Sequence, residues 1–201
     1  MINDIQISHL YKSYDGTPVL EDVSLRFEAG TVTALCAPSG KGKTTLLRML
    51  AGLEKPDSGK ISGLPEDTPV AYLFQEPRLF SSVSVLDNVM LVLHGKKKEL
   101  RARALSMLHA LGITADDAEK RPQALSGGMR QRAAAARLLL FVQETDAPLV
   151  LLDEPFQGLD EERKRSVMTV FKRILAGRTV VFVTHDAAEI EAFAAGNRYS
   201  V

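Results

Sequence analysis

The sequence predicts an α/β protein with a mainly parallel core sheet, an antiparallel β part near the N-terminus and an inserted helical part. The first indication is that apolar runs alternate with helical patterns before residue 77 and after residue 141. The second is the segment 149–152, which is apolar at every position, as expected for a strand buried on both faces of a parallel sheet. Between residues 77 and 141 helical patterns replace the strands.

The N-terminal part is expected to form half-buried antiparallel strands. Segments 5–7 and 23–27 alternate apolar with polar residues, and this period of two is typical of strands with one buried face. The elements expected next are a strand at 31–36, a helix at 44–50, a turn at 55–59 and a strand at 70–74.

Three helices are expected in the central part, and the α/β pattern resumes after it. The central helices are predicted at 85–93, 99–111 and 129–142. The later elements are strands at 149–152 and 179–184 and helices at 161–175 and 186–193. Because strands resume, the helical part is interpreted as an insertion.

Composition narrows the function classes. The 201 residues include 25 basic and 25 acidic side chains, so the net charge is zero and nothing global attracts nucleic acid. No segment approaches the roughly 18 uninterrupted apolar residues of a spanning helix, and no signal-peptide core is present, so a cytoplasmic protein is expected. The single cysteine, Cys36, excludes an internal disulfide and is expected to be a small buried strand residue.

Residues 37–44 have the composition of a phosphate-binding loop. They join a strand to a helix, and glycines let successive backbone N–H groups point inward while the helix N-terminus adds unpaired donors. The pattern G-x-x-x-x-G-K-[ST] is met at Gly42, Lys43 and Thr44, whereas Ala37 replaces its first glycine. We expect Lys43 to reach the β- and γ-phosphates and the Thr44 hydroxyl to hold Mg²⁺.

Two carboxylates, Asp153 and Glu154, follow the buried strand at 149–152. Ligands of open parallel sheets lie beyond the carboxyl ends of the strands, so these side chains are expected to meet the phosphate loop. Asp153 can bind Mg²⁺ through water opposite Thr44, and Glu154 can polarise an attacking water. Taken alone, the pair would indicate only an acidic loop.

Two more polar residues follow strands. His185 comes after the strand at 179–184, where it can donate to a γ-phosphate or orient the attacking water. Gln75 follows the strand at 70–74, and its amide can contact both Mg²⁺ and that water.

A second glycine-rich turn, Ser126-Gly127-Gly128, precedes the helix predicted at 129–142. It can form another anion-binding helix N-terminus, with the Ser126 hydroxyl adding a hydrogen bond. A serine N-cap followed by a permissive turn is an adequate alternative, and the residues alone do not separate the two. Two phosphate-binding helix ends make sense if each serves a different copy of the protein.

In this order, the motifs make the sequence similar to the ATP-binding-cassette (ABC) ATPases over nearly the whole chain. The matching segments are 37–45 to the Walker A loop, Gln75 to the Q-loop, 125–131 to the LSGGQ-type signature with Met129 in place of Gln, 149–154 to Walker B, 158–160 to the D-loop and His185 to the H-loop. The resemblance implies a P-loop NTPase with the ABC ATPase fold. It also implies a single nucleotide-binding domain, 1–201, with core parts at 1–76 and 144–201 and a helical subdomain at 77–143.

The resemblance implies that two copies close head to tail and sandwich two ATP molecules with Mg²⁺. The residues expected at the nucleotide are Tyr14, stacked on adenine with Tyr11 as the alternative, then Ser39, Gly40, Lys41, Gly42, Lys43, Thr44 and Thr45 of one copy and Ser126, Gly127 and Gly128 of the other. Asp160, which matches the D-loop, is also expected at the nucleotide. Glu154, His185 and Gln75 are the expected catalytic residues, and Thr44, Gln75 and Asp153 are the expected metal ligands.

The residues of the signature and Q-loop motifs are similar to those of bacterial importer ATPases, especially the nitrate, sulfonate, taurine and thiamine-precursor group. That resemblance implies a separate membrane permease docking near residues 75–85, a solute-binding protein, and a position on the inner face of the cell membrane. Alternatives are an exporter ATPase, a soluble ABC protein acting on DNA or ribosomes, and a module that no longer hydrolyses ATP.

Two departures from the family pattern stand out. Ala37 would strain the loop by about 1 kcal/mol or more at positive φ. It is harmless at negative φ, which we expect because Gly40 and Gly42 carry the tight turn. The short chain after His185 makes a C-terminal regulatory domain unexpected.

Overall fold

A computed structural model describes residues 2–36, 40–195 and 197–200. The chain forms two compact units. The first comprises Met1–Tyr72, Ala147–Glu154 and Gly177–Val201, and the second comprises Leu73–Asp146 and Pro155–Ala176. The structure confirms the predicted fold class, whereas the single nucleotide-binding domain with a helical part at 77–143 stays a prediction.

Strands and helices follow one another in the predicted order. The strands are β1 Ile5–Tyr14, β2 Thr17–Phe27, β3 Val32–Cys36, β4 Ser58–Ser62, β5 Val70–Leu73, β6 Leu149–Asp153, β7 Thr179–Val183 and β8 Arg198–Ser200. The helices are α1 Lys43–Leu50, α2 Val85–Met90, α3 Lys97–Ala110, α4 Ala115–Ala118, α5 Gly127–Thr145, α6 Glu161–Leu175 and α7 Ala187–Ala194, with a 3₁₀ turn at Pro122–Ala124.

The antiparallel sheet has the order β2-β1-β4. Ile5 lies opposite Phe27 and Ile7 opposite Leu25, which confirms the antiparallel pairing predicted from the alternating pattern. The sequence does not predict β4, and the first two residues of that strand fall within the turn expected at 55–59. Turn residues dominate β4, and it is a strand only because β1 pairs with it, with Ile61 opposite Ile7.

The second sheet has the order β5-β6-β7-β3-β8. Three of its neighbouring pairs are parallel, namely β6 with β7, β3 with β7, and β3 with β8. Strand β8 was not predicted, because three residues without an apolar run carry no periodic signal. All five residues of β6 and all five of β7 are buried, as the apolar run at 149–152 indicated.

One apolar core joins the two sheets of the first unit to α1. Buried residues from the antiparallel sheet, such as Ile5 and Phe27, belong to the same cluster as Leu46 and Leu47 of α1 and Leu151 of β6. This packing fixes α1 beside the parallel sheet, and it therefore also fixes the end of the loop that leads into α1.

Helices α2 to α6 belong to the second unit. Helix α6 has the predicted bounds, and α5 begins two residues before its predicted start because Ser126 caps it: the serine hydroxyl accepts from the Met129 N–H at 3.2 Å. Helix α2 ends three residues before its predicted end, and the short helix α4 was not predicted. Of the helices in the described ranges, none combines the length and the hydropathy that a membrane crossing requires.

Candidate functional site

The described part of the predicted phosphate loop begins at Gly40. Ala37 and Ser39 lie outside the described residues, so the predicted Ser39 contact and the consequence of Ala37 stay predictions. Gly40 and Gly42 have φ values of 81° and 76°, in the left-handed region that glycine enters without steric cost. These values agree with the expectation that the two glycines carry the tight turn.

Gly42 also packs tightly against the antiparallel sheet. A Cβ atom built on it would lie 2.6 Å from Leu20 Cδ2 and 2.7 Å from the Val19 carbonyl oxygen, closer than real Cβ contacts allow. The Gly42 carbonyl accepts the first bond of α1, from the Leu46 N–H at 2.8 Å. Only glycine therefore fits where the loop turns into the helix.

Lys43 and Lys41 differ in their surroundings. Lys43 is the first residue of α1 and is buried, whereas Lys41 is exposed. A buried lysine requires compensation for its charge, and the Asp153 carboxylate is one opposite charge that acts on it. The predicted role of Lys43 at a phosphate fits this position, because Lys43 is the residue with which α1 begins after the loop.

Thr44 and Asp153 contact each other directly. The Thr44 hydroxyl donates to Asp153 Oδ2 at 2.8 Å, joining the first turn of α1 to the end of β6. The Asp153 side chain is only 2% exposed. Burial raises the pKa of the Asp153 carboxyl above its ordinary value, and the hydrogen bond from Thr44 acts in the opposite direction. A buried carboxylate of this kind would gain stability from a bound cation.

Glu154 and His185 form a second pair beside the first. Asp153 lies opposite Val183 in the parallel ladder, so the residues that follow β6 and β7 emerge side by side. His185 Nε2 lies 2.9 Å from Glu154 Oε1. The Glu154 N–H donates to the Val183 carbonyl oxygen at 3.0 Å, and Glu154 has a φ of 50°, which is rare for a residue with a side chain. Glu154 thus has a rare backbone conformation, and its carboxylate lies next to an imidazole.

Tyr14 and Tyr11 are equally exposed, at 42% and 41%, so exposure does not indicate which of them contacts the base. The side-chain contacts of Tyr14 distinguish the two residues. The Tyr14 hydroxyl donates to Glu54, and Lys12 Nζ lies 5.4 Å from the centre of the Tyr14 ring. Burial raises the pKa of Tyr14, while a hydrogen bond with the Thr45 side chain opposes that rise. Tyr14 is therefore tied to the phosphate loop, which supports it as the aromatic residue at the base.

Lys12 and Glu54 were not identified from the sequence. Lys12 Nζ donates to Asp57 Oδ1 at 3.1 Å and lies 3.6 Å from Glu54 Oε1, so the two residues fix the surroundings of Tyr14. Their separation of 42 positions along the chain leaves no local pattern that could have revealed them.

The remaining predicted site residues belong to the second unit, so their positions relative to Lys43 and Glu154 stay predictions. Ser126 and Gly127 are exposed at the start of the 19-residue helix α5, and Gly128 is half-buried. The Ser126 hydroxyl caps α5, as the simpler alternative required. The exposure of this helix end also leaves it open to an anion.

Asp160 and Gln75 are both exposed. Asp160 caps α6 by accepting from the Arg163 N–H at 2.9 Å, and this bond lowers the pKa of its carboxyl. Gln75 follows β5 after one intervening residue. Among the residues described, no three histidine, cysteine or acidic side chains cluster as a self-contained metal site.

These features define a P-loop nucleotide-binding protein: a loop with two glycines at positive φ leads into a helix, and a buried aspartate at the end of a strand contacts the first turn of that helix. Sequence comparison gives the family. The profile described as "ABC transporter" matches residues 20–157, and this chain therefore belongs to the ABC transporter family. The resemblance predicted from the motifs is confirmed.

Curated relatives cover almost all of this chain. The Fe(3+) ions import ATP-binding protein FbpC of Pseudomonas fluorescens is 38% identical over 208 residues, covering 96% of this chain and 57% of that protein. The aliphatic sulfonates import ATP-binding protein SsuB 1 of Rhodococcus jostii is 40% identical over 190 residues, covering 92% and 73%. The chain thus spans little more than half the length of several relatives that it matches.

Solved structures share the fold. The dimeric ATP-binding cassette MJ0796, described in a post-hydrolysis state bound to ADP and Pi, superposes with a TM-score of 0.83 at 28% identity. The superposition covers 98% of this chain and 94% of the other.

Proposed function

We propose that this chain is the ATP-binding and ATP-hydrolysing subunit of a bacterial ABC importer of a small solute. The observation that carries the proposal is the pair of contacts at two adjacent strand ends, Thr44 with Asp153 and Glu154 with His185. Import ATP-binding proteins are among the relatives of the chain, which favours an importer over an exporter or a soluble ABC protein.

The phosphate loop would bind the nucleotide through charge and backbone donors. The N–H groups around Gly40 and Gly42 and the N-terminus of α1 face an anion favourably, and Lys43 adds a full positive charge. Lys41 and Thr45 extend the contacts to the other phosphate oxygens. Tyr14 would stack on adenine, because its ring is exposed and linked to Thr45.

The residues at the loop fit a magnesium ion. Thr44 and Asp153 present oxygen atoms, which Mg²⁺ prefers, and the burial of Asp153 gives its carboxylate a reason to bind a cation. Gln75 would add its amide oxygen. When bound, Mg²⁺ neutralises charge on the β- and γ-phosphate oxygens.

Glu154 and His185 would act on the attacking water. The Glu154 carboxylate can accept the proton of that water, and the single N–H of a neutral His185 imidazole can donate either to Glu154, which keeps that carboxylate in place, or toward the γ-phosphate. Phosphoryl transfer needs positioning and charge stabilisation more than covalent chemistry, so two oriented groups suffice.

A second copy would complete each site. Ser126, Gly127 and Gly128 at the N-terminus of α5 would bind the γ-phosphate held by the partner. Asp160, which is exposed, would also contact the nucleotide. The exposure of Ser126 and Gly127 supports this role, because a partner can reach them.

This chain would lie on the inner face of the membrane, and the permease would contact it near residues 75–85. On the outer side, a solute-binding protein would deliver the solute to the permease. This segment contains Phe80, which is 61% exposed and whose backbone is hydrogen-bonded to a buried side chain. The buried Asn88 accepts from the Phe80 N–H at 2.7 Å and donates to its carbonyl oxygen at 3.0 Å. A fixed loop with an exposed aromatic residue suits a protein partner.

Mg²⁺-dependent release of phosphate from ATP tests the proposal. Glu154→Gln should bind ATP but lower turnover by about a hundredfold or more, as expected for loss of a general base. Lys43→Met keeps a long side chain and should lose nucleotide affinity. Glu191→Gln, an exposed acid on α7, is the matched control and should behave as the parent does. A parent chain without ATPase activity would refute the proposal.

A further inference from the structure

Two buried polar residues flank the turn that carries His185, and the proposed reaction does not use either of them. Thr184 is 4% exposed and Glu189 is 5% exposed. The Thr184 hydroxyl donates to Glu189 Oε2, so a carboxyl on the first turn of α7 reaches back to the residue before His185. Neither residue was singled out from the sequence.

The same hydroxyl also binds the residue after His185. The Thr184 Oγ1 atom accepts from the Asp186 N–H at 3.1 Å. His185 therefore lies between two residues that one hydroxyl group connects, and that hydroxyl is itself held by Glu189. The arrangement restrains the backbone on both sides of the histidine and hence the direction in which its side chain leaves the chain.

Helix α7 does not need Glu189 as its cap. Asp186 already caps it by accepting from the Ala188 N–H at 2.8 Å, and the Asp186 carbonyl accepts from the Ile190 N–H at 3.2 Å. A T-shaped contact between Phe182 and Phe193, with ring centres 5.1 Å apart, packs the helix on β7. The buried contact from Glu189 thus constrains the turn rather than the start of the helix.

Burying a carboxyl group is costly, so a fold that keeps one there needs a compensating reason. The position of His185 offers such a reason. Its side chain is exposed and lacks packing on all sides, so an oriented backbone is needed to keep its Nε2 at 2.9 Å from Glu154 Oε1. We propose that Glu189 and Thr184 are positioning residues that hold His185 against Glu154. This inference rests on the proposed ATPase function.

Two matched pairs of variants test the inference. Thr184→Val removes the hydroxyl and keeps the branched shape, whereas Thr184→Ser keeps the hydroxyl. Glu189→Met removes the acceptor, whereas Glu189→Gln keeps an acceptor oxygen. We expect Thr184→Val and Glu189→Met to lower kcat by about tenfold or more with the KM for ATP changed by less than about twofold. The serine and glutamine variants should restore most of the turnover.

A double-variant cycle separates positioning of His185 from general damage to the fold. In a His185→Ala background, adding Thr184→Val should lower kcat by no more than about twofold, since the histidine that it positions is gone. A further tenfold loss in that background would overturn the inference, and so would full activity of Thr184→Val alone.

A spectrum of the histidine side chains decides the matter without ATP hydrolysis. The chain has four histidines, and ¹H–¹³C correlation of the imidazole groups in the Thr184→Val variant should show the His185 signals moved and the others unchanged. Unmoved His185 signals would overturn the inference even if the parent hydrolyses ATP. An inactive parent with moved His185 signals would instead refute the proposed function alone.

Discussion

Replacing Gly42 by alanine should damage the phosphate loop far more than the same change at Gly40. Both glycines have left-handed φ values, so each substitution carries a backbone cost of about 1–2 kcal/mol. At Gly40 a Cβ atom meets nothing within 4 Å, whereas at Gly42 it would lie 2.7 Å from the Val19 carbonyl oxygen. That oxygen belongs to the backbone of β2 and cannot rotate away, so overpacking adds about 1–3 kcal/mol.

Thermal unfolding of the two variants measures the difference directly. For a protein of this length each kcal/mol lowers Tm by about 2–4 °C, so Gly40→Ala should lose about 2–8 °C. Gly42→Ala should lose about 2–12 °C more. It should also bind ATP more weakly than Gly40→Ala, because the clash with β2 displaces the loop where it enters α1. Equal losses of Tm in the two variants would refute the packing assigned to Gly42.

Three further predictions concern charge and stacking. Asp153→Asn should raise the Tm of the nucleotide-free protein at pH 7, because burial raises the pKa of this carboxyl and its charged form weakens the fold. The gain should shrink as the pH falls through the raised pKa toward the ordinary value of 3.8, which unfolding across a pH series would show. Tyr14→Ala should weaken binding of a fluorescent ATP analogue by about 1–3 kcal/mol, the usual value of base stacking, while Tyr11→Ala should not; a reversed order would make Tyr11 the stacking residue. The Ser13 N–H and Lys12 lower the pKa of Asp57, so its stabilising effect is present above pH 3.8 and is lost as the pH falls through the lowered value. Asp57→Asn should therefore flatten the acid side of the stability profile, and an unchanged profile would contradict this role.

Elements with a complete local signal could be predicted from the sequence. Helix α6 has its predicted bounds because Asp160 caps it and apolar residues recur every three or four positions along it. Strand β6 was recognisable because a strand buried on both faces is apolar throughout. The phosphate loop was recognisable because its chemistry depends on adjacent residues.

Elements that depend on distant partners could not be predicted. Strand β4 consists mainly of turn residues and exists through its pairing with β1, and β8 exists through its pairing with β3. The same holds at the site. The contact between Tyr14 and Glu54 joins residues 40 positions apart, and nothing local marks it.

We propose that each ATP is bound by Lys43 of one copy and Ser126 of the other. Native mass spectrometry of mixed variants can detect this arrangement, and all of the variants carry Glu154→Gln to prevent hydrolysis. One variant carries Lys43→Met. The other carries Ser126→Asp, which keeps a capping oxygen on α5 but places a negative charge against the phosphate. Ser126→Asn is the neutral control and should still dimerise with ATP.

Neither variant alone has an intact site in its homodimer, but a mixed dimer has one, formed by the unaltered Lys43 of one chain and the unaltered Ser126 of the other. We expect ATP to produce mixed dimers carrying a single nucleotide, with each separate variant remaining monomeric. Mixtures that form no dimer, while Glu154→Gln alone dimerises with ATP, would contradict it, and so would either separate variant dimerising with bound ATP.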